Sequence, residues 1–240
     1  LKRYDVMQSA DKYWAVIPAA GVGQRMQANQ PKQYLKIQGR TVLDWTIFRL
    51  LETQLFTTIV VSLSSEDAYW SESEYASHPD VIRAPGGAER SDSVRQGLAQ
   101  LLPIAASNDW VLVHDAARPC VASGDIRKLI SLVVAGFDGG LLGSPVADTL
   151  KQVSQSSSLV ESTLDRTTIW RAFTPQMFRL KSLYSALVEA QRQGWEITDE
   201  ASAMERVGVL PLMVEGSSDN IKITRPEDLQ LAQNILSAKG

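Results

Sequence analysis

The sequence is poor in the residues that build metal centres and disulfides: it has one cysteine, Cys120, and two histidines, His78 and His114. A lone thiol cannot close an intrachain disulfide, and so few imidazoles argue against a zinc site. The same poverty of cysteine favours an intracellular protein, expected to be cytoplasmic. Nor is there an excess of positive charge, since 24 Lys and Arg stand against 27 Asp and Glu, for a net charge of -3. A general nucleic-acid binder needs a cationic surface that displaces counterions, so nucleic acid is not an expected partner. A phosphorylated small molecule remains open, because a few converging cations suffice for it. No apolar run approaches the roughly 20 residues of a membrane span, and the N-terminus lacks the apolar stretch of a signal peptide. No membrane partner is expected, and residues 1–12 read as a leader outside the fold.

What the sequence does contain is an ordinary globular composition over 240 residues, with 44% hydrophobic and 21% charged residues. That length suits one large domain or two small ones, and a single domain over 1–240 is expected. Trp14 to Pro18, Thr58 to Leu63 and Trp110 to His114 are short apolar runs without strict polar alternation, as in strands buried on both faces. Val81 to Ala84 reads as a further strand. Between them, Thr41 to Glu52 and Arg90 to Leu102 carry apolar residues on one helical face. Later helices are expected at Lys181 to Gln193, Asp199 to Val207 and Pro226 to Ser237. The alternation implies an α/β fold with a mainly parallel, twisted sheet covered by helices on both faces. One segment departs from it. Residues 148–166 read as a protruding β-hairpin, with a serine-rich turn between Thr149 to Val153 and Leu159 to Leu164. Its apolar residues are either a surface ornament or a face that a partner subunit covers.

The chemistry concentrates in loops at strand ends. After the first strand comes PAAGVGQRM, continuing to PKQYL. Ala19, Ala20, Gly21 and Gly23 keep side chains small, so backbone N–H groups can approach phosphate oxygens. Arg25 adds a planar fork of donors and Lys32 a mobile point charge. A dinucleotide fingerprint would need a small residue where Met26 stands, and a Walker A loop would need Gly-Lys-Ser/Thr. Both are absent. The GGAERSDS loop before the second helix could present backbone groups to a base, with the Ser93 hydroxyl beside them. Its Glu89, Ser91 and Asp92 are also ordinary helix caps, the better reading of that loop taken alone. In HDAARP, Asp115 suits a magnesium ion or its water shell and Arg118 a phosphate, unless the two simply pair with each other. His114 reads as a packed residue. Thr198 and Thr224 read as helix caps, and Lys222, in a strand-like Ile-Lys-Ile, as solvent-exposed.

In the order PAAGVGQRM with PKQYL, GGAERSDSV, VHDAARP, TPQ, ITDEASA and DNIKITRPEDL, these runs resemble the 2-C-methyl-D-erythritol 4-phosphate cytidylyltransferase family from about Trp14 to Leu236. The resemblance implies a Rossmann-like nucleotidyltransferase fold, a homodimer, dependence on Mg2+, and CTP with a sugar-alcohol phosphate as substrates. It implies transition-state stabilisation by Arg25 and Lys32. Ala19, Ala20, Gly21 and Gly23 would line the triphosphate, and Gly87, Ala88 and Ser93 the cytidine. Asp115, Ala116, Lys222, Arg118, Thr174 and Thr198 would surround the metal, the phosphates and the sugar phosphate. The hairpin resembles an arm that carries Thr149 and Arg166 to the neighbouring subunit's substrate. Ala88 departs from the pattern, where an aspartate is frequent. A cytidylyltransferase for another sugar phosphate such as ribitol 5-phosphate, a non-catalytic nucleotide-binding protein and an NAD-dependent oxidoreductase are the competing readings.

Overall fold

The computed structural model describes residues 11–21 and 30–238. In chain order the elements are β1 (Tyr13–Pro18), β2 (Lys36–Ile37), β3 (Arg40–Thr41), α1 (Val42–Leu51), β4 (Phe56–Leu63), β5 (Val81–Pro85), α2 (Arg90–Leu101), β6 (Trp110–Val113), α3 (Ser123–Val134), β7 (Gly139–Pro145), β8 (Leu150–Val153), β9 (Val160–Leu164), β10 (Trp170–Arg179), α4 (Leu180–Gln193), α5 (Glu200–Arg206), β11 (Leu212–Glu215) and α6 (Pro226–Ala238). Seven strands form one sheet in the order β11-β7-β10-β6-β1-β4-β5. Among the described strands of this sheet only β10 runs antiparallel to its neighbours, so the sheet is mainly parallel, as expected. β1 pairs with β4 on one side and β6 on the other, so the strand order reverses there. Ligands of open α/β sheets bind beyond the carboxyl ends of the strands at such a reversal.

The unbroken apolar runs follow from cover on both faces. From β1, Ala15 and Ile17 pack with Leu43, Ile47 and Leu50 of α1 and Ile126, Leu129 and Val133 of α3. Trp14 and Val16 pack on the opposite face with Val94, Leu98 and Leu101 of α2 and Leu183 and Leu187 of α4. Each fully buried aliphatic side chain of this kind contributes roughly 1.5–3 kcal/mol. α2 can sit close against β1 because of Gly97, where an added Cβ would fall 2.6 Å from Val16 Cγ1. That close approach holds the loop before α2 over the end of β1, where a ligand would bind.

The hairpin β8–β9 forms a separate two-stranded sheet, projecting as expected. Val153, Leu159, Val160 and Leu164 are 45%, 68%, 59% and 41% exposed. No helix of the described residues is long and apolar enough to cross a membrane.

Several expectations need correction. Asp11 and Lys12 are not part of a detached leader: Asp11 Oδ2 accepts from Trp110 Nε1 at 3.2 Å, and Lys12 O accepts from Trp110 N at 3.0 Å. The rest of that leader, residues 1–10, lies outside the described residues. The cap of α5 is Asp199, whose carboxylate accepts from Ser202 N at 2.9 Å, rather than Thr198. At α6 the capping acceptor is Asp228, which reaches back to Thr224 N at 2.8 Å and Arg225 N at 2.9 Å. Lys222 is in no strand. Ile221 and Ile223 alternate with it because they pack beside α6, not because they join a sheet.

Candidate active site

A cleft of about 550 Å³ opens at the ends of β1 and β6. Its floor begins with Pro18, Ala19, Ala20 and Gly21. Ala19 N donates to Ser62 O at 2.8 Å and so continues β1 toward the cleft. Ala20 meets the next loop closely, since a Cβ on Gly86 would lie 2.3 Å from the Ala20 Cβ. One wall is the short 3-10 turn Lys32–Tyr34. Gln33, 4% exposed, donates from Nε2 to Ala19 O at 2.7 Å, tying that turn to the floor. Tyr34 anchors it from behind, with its hydroxyl on Asp67 at 2.8 Å. Lys32 lines the cleft and donates from Nζ to Ile223 O at 2.9 Å.

The opposite wall is the loop that enters α2. Glu89 and Asp92 form a reciprocal capping box, so the capping reading of this loop holds. Ser93 is 3% exposed, and its hydroxyl accepts from Gly87 N at 3.0 Å and meets Glu89 O at 3.2 Å. It shapes the loop from beneath, leaving Gly87, Ala88 and Glu89 to face the cleft.

At the back stands Asp115, 6% exposed. Arg90 Nε lies 2.8 Å from its Oδ1, and Lys222 Nζ lies 2.8 Å from its Oδ2. The anticipated pair with Arg118 exists, but at 3.6 Å it is the longest of the three. Burial pushes the Asp115 carboxyl up, yet Arg90, Lys222 and Arg118 together hold it well below the ordinary carboxylate range. Behind it, Thr174 Oγ1 accepts from Asp115 N at 3.0 Å and meets His114 Nδ1 at 2.9 Å. His114 Nε2 lies 3.1 Å from Arg118 O, a carbonyl that can only accept. The proton of the neutral ring is therefore on Nε2, and Nδ1 accepts from the Thr174 hydroxyl. His114 is 0% exposed, as a packed residue should be.

The sequence comparisons agree with this architecture. A family model described as 2-C-methyl-D-erythritol 4-phosphate cytidylyltransferase matches residues 13–238. A protein of that name from Vibrio vulnificus (strain YJ016) is 52% identical over 223 residues, 93% of this chain and 94% of the relative. Another, from Pseudomonas aeruginosa (strain UCBPP-PA14), is 50% identical over 218 residues, covering 90% of this chain and 93% of the relative.

The chain belongs to the 2-C-methyl-D-erythritol 4-phosphate cytidylyltransferase family.

The crystal structure of the Francisella tularensis member superposes with a TM-score of 0.81 at 37% identity, covering 94% of this chain and 100% of that one. Membership favours a cytidylyltransferase over the oxidoreductase and the non-catalytic reading.

Ten of the sequence-derived positions line this cleft together: Ala19, Ala20, Gly21, Lys32, Gly87, Ala88, Ser93, Asp115, Ala116 and Lys222. Gly23 and Arg25 lie outside the described residues. Arg118 and Thr174 are buried beside Asp115, with Arg118 Nη1 on Asn220 O at 2.6 Å. Thr198 is exposed on the approach to α5, and Thr149 and Arg166 are exposed at the base of the hairpin. Lys222 is exposed as read, but its ammonium is committed to Asp115. Sequence reasoning missed Gln33, Arg90, Glu200 and Thr224. Gln33 sits inside PKQYL and Glu200 inside ITDEASA, but only proximity in space shows their work. No group of three or more His, Cys, Asp or Glu could hold a metal among the described residues.

His114 makes acid stability a test of this site. Burial pushes its imidazole from 6.5 down to about 4. Between those values the unfolded chain binds a proton that the folded chain does not, so stability falls on acidification through that window. One such site contributes roughly 1.4 kcal/mol per pH unit. The Asp115 contribution is lost mainly below its ordinary value of 3.8, so the two windows overlap little. Urea midpoints of wild type should drop between pH 6.5 and about 4. His114→Gln should show a shallower dependence there; an unchanged slope refutes the assignment.

Proposed function

We propose that this chain transfers the cytidylyl group of CTP to 2-C-methyl-D-erythritol 4-phosphate, giving 4-diphosphocytidyl-2-C-methyl-D-erythritol and pyrophosphate. The observation that carries the reading is the cleft itself, in which a small-residue floor, Lys32, and the pair Asp115–Lys222 converge. A substrate phosphate oxygen attacks the α-phosphorus in line, forming one P–O bond as the bond to the β-phosphate bridging oxygen breaks. The nucleophile is already an anion, so no general base is needed. That suits a cleft whose buried histidine is neutral and has both ring nitrogens engaged. The work left is positioning and charge stabilisation.

In this reading Ala19, Ala20, Gly21 and Gly23 approach the triphosphate, and Arg25 and Lys32 stabilise the transition state. Gly87, Ala88 and Ser93 hold the cytidine, with Asp115, Ala116 and Lys222 toward the phosphates. Arg118, Thr174 and Thr198 serve the sugar phosphate, joined by Thr149 and Arg166 of a partner subunit. The donor set suits a metal that arrives on the triphosphate, since Asp115 is one carboxylate and not a cage. Mg2+ held there would neutralise phosphate charge. Both Asp115 oxygens already meet cations, Arg90 on one side and Lys222 on the other, which favours contact through water. The exposed apolar residues of β8–β9 support a homodimer through the hairpin. A cytoplasmic location accords with this activity.

Purified protein should release pyrophosphate from CTP with 2-C-methyl-D-erythritol 4-phosphate far faster than with ribitol 5-phosphate. UTP should serve at least about 100-fold less well than CTP, because the exocyclic amine of cytosine is a donor where uracil has an acceptor. Faster turnover of ribitol 5-phosphate would overturn the acceptor assignment. Equal use of UTP would overturn the base assignment and implicate Ala88.

A further inference from the structure

Glu200 does not line the cleft and is 1% exposed, yet it grips Arg90, which does line it. Arg90 Nη1 donates to Glu200 Oε1 at 2.6 Å and Nη2 to Oε2 at 3.0 Å, while Nε donates to Asp115 Oδ1 at 2.8 Å. One guanidinium thus spans two carboxylates from different parts of the chain. Glu200 is also placed independently of Arg90. Gln176 Oε1 accepts from Ala201 N at 2.7 Å, and Gln176 Nε2 donates to Asp199 Oδ2 at 2.9 Å, so β10 fixes the start of α5. A buried ion pair is a poor way to gain stability, since apolar residues of similar volume do as well or better. Its geometry points instead to the cleft. Three cations surround Asp115, and Glu200 is the second carboxylate available to balance them.

We propose that Glu200 is a positioning residue that, by holding both terminal nitrogens of Arg90, keeps that side chain on Asp115 and away from the nucleotide's polyphosphate. The proposal rests on reading this cleft as the CTP site. A guanidinium fork is a strong polyphosphate ligand. Released from Glu200, Arg90 would bind CTP and pyrophosphate in their ground states and would leave Asp115 less firmly oriented. Binding of that uniform kind does not raise turnover.

The test compares Glu200→Gln, Arg90→Met and the double variant. It measures kcat, KM for CTP, and calorimetric Kd for CTP and for pyrophosphate without the sugar phosphate, each corrected for folded fraction by circular dichroism. Glu200→Gln should lower kcat by about tenfold, the low end for loss of an outer partner, while both Kd values stay equal or become tighter. The double variant should be no slower than Arg90→Met alone, because Glu200 acts through Arg90. Weaker binding of both ligands, a kcat loss no larger than the loss of folded protein, or additive effects in the double variant would overturn the proposal. If Glu200→Gln does not fold, Glu200→Asp carries the test, keeping the charge with a shorter reach. The same split is then expected at smaller size, and a rise in both Kd values again overturns it. Wild type that binds CTP but does not turn it over would instead refute the functional reading, leaving the binding comparison intact.

Discussion

Lys32→Ala is expected to lower kcat by about 10²–10³ while leaving CTP binding much less affected. The ammonium is held before substrate arrives. It lines the cleft with Nζ 2.9 Å from Ile223 O, on a turn locked through Gln33 to Ala19 O and through Tyr34 to Asp67. A charge already in place costs no reorganisation when negative charge spreads over the phosphate oxygens in the transition state, so its loss falls on that state. In the proposed complex, ground-state CTP would keep the backbone groups of the Ala19–Gly21 floor. Loss of the bond to Ile223 O should cost about 0.5–1.5 kcal/mol of stability, too little to unfold the protein, so a thermal melt separates the two effects. Arg25→Ala should behave alike if Arg25 shares the role. Near-normal kcat with only a raised CTP KM would make Lys32 a binding residue and end the transition-state assignment.

The elements legible in the sequence were those whose burial pattern matched their period. β1, β4, β5, β6, α1 and α2 follow the expected ranges within a residue or two, because an unbroken apolar run or a one-sided apolar face is compatible with few other backbone shapes. β7 is different. Gly139, Gly140 and Gly143 occupy it because added Cβ atoms would strike Phe178, Val133 and Met213 at 2.1–2.6 Å. The close packing that requires glycine erases the β-branched signal by which a strand is read. The cleft was legible by rule, since the ends of parallel strands collect ligand-binding loops. Its wiring was not. Arg90 and Glu200 are 110 residues apart, and neither has a local pattern that names the other. The same holds for Lys222, which reads as an exposed lysine because its stem is exposed and only its ammonium reaches Asp115.

A mixed population of Lys32→Ala and Arg166→Ala subunits should regain roughly a quarter of wild-type activity, by simple counting over a two-fold dimer. Each variant alone should be poorly active if every site needs Lys32 from one subunit and Arg166 from the other. Random exchange of equal amounts makes half of the dimers mixed, and in each of these one site collects both lesions and the other neither. The hairpin motivates the arrangement. Among the described residues β8 and β9 pair only with each other, and Leu159 and Val160 are 68% and 59% exposed. Arg166, at the base of the arm, donates from Nη1 to Ala147 O, and Thr149 lies exposed on the other side of the same base. In the proposed dimer a second copy would cover the arm's exposed apolar residues and bring its cation to the neighbouring cleft. The decisive measurement is activity after co-expression or denaturation and remixing, with heterodimers confirmed by mass. If heterodimers form and no activity returns, Arg166 works within its own chain or does not touch the substrate.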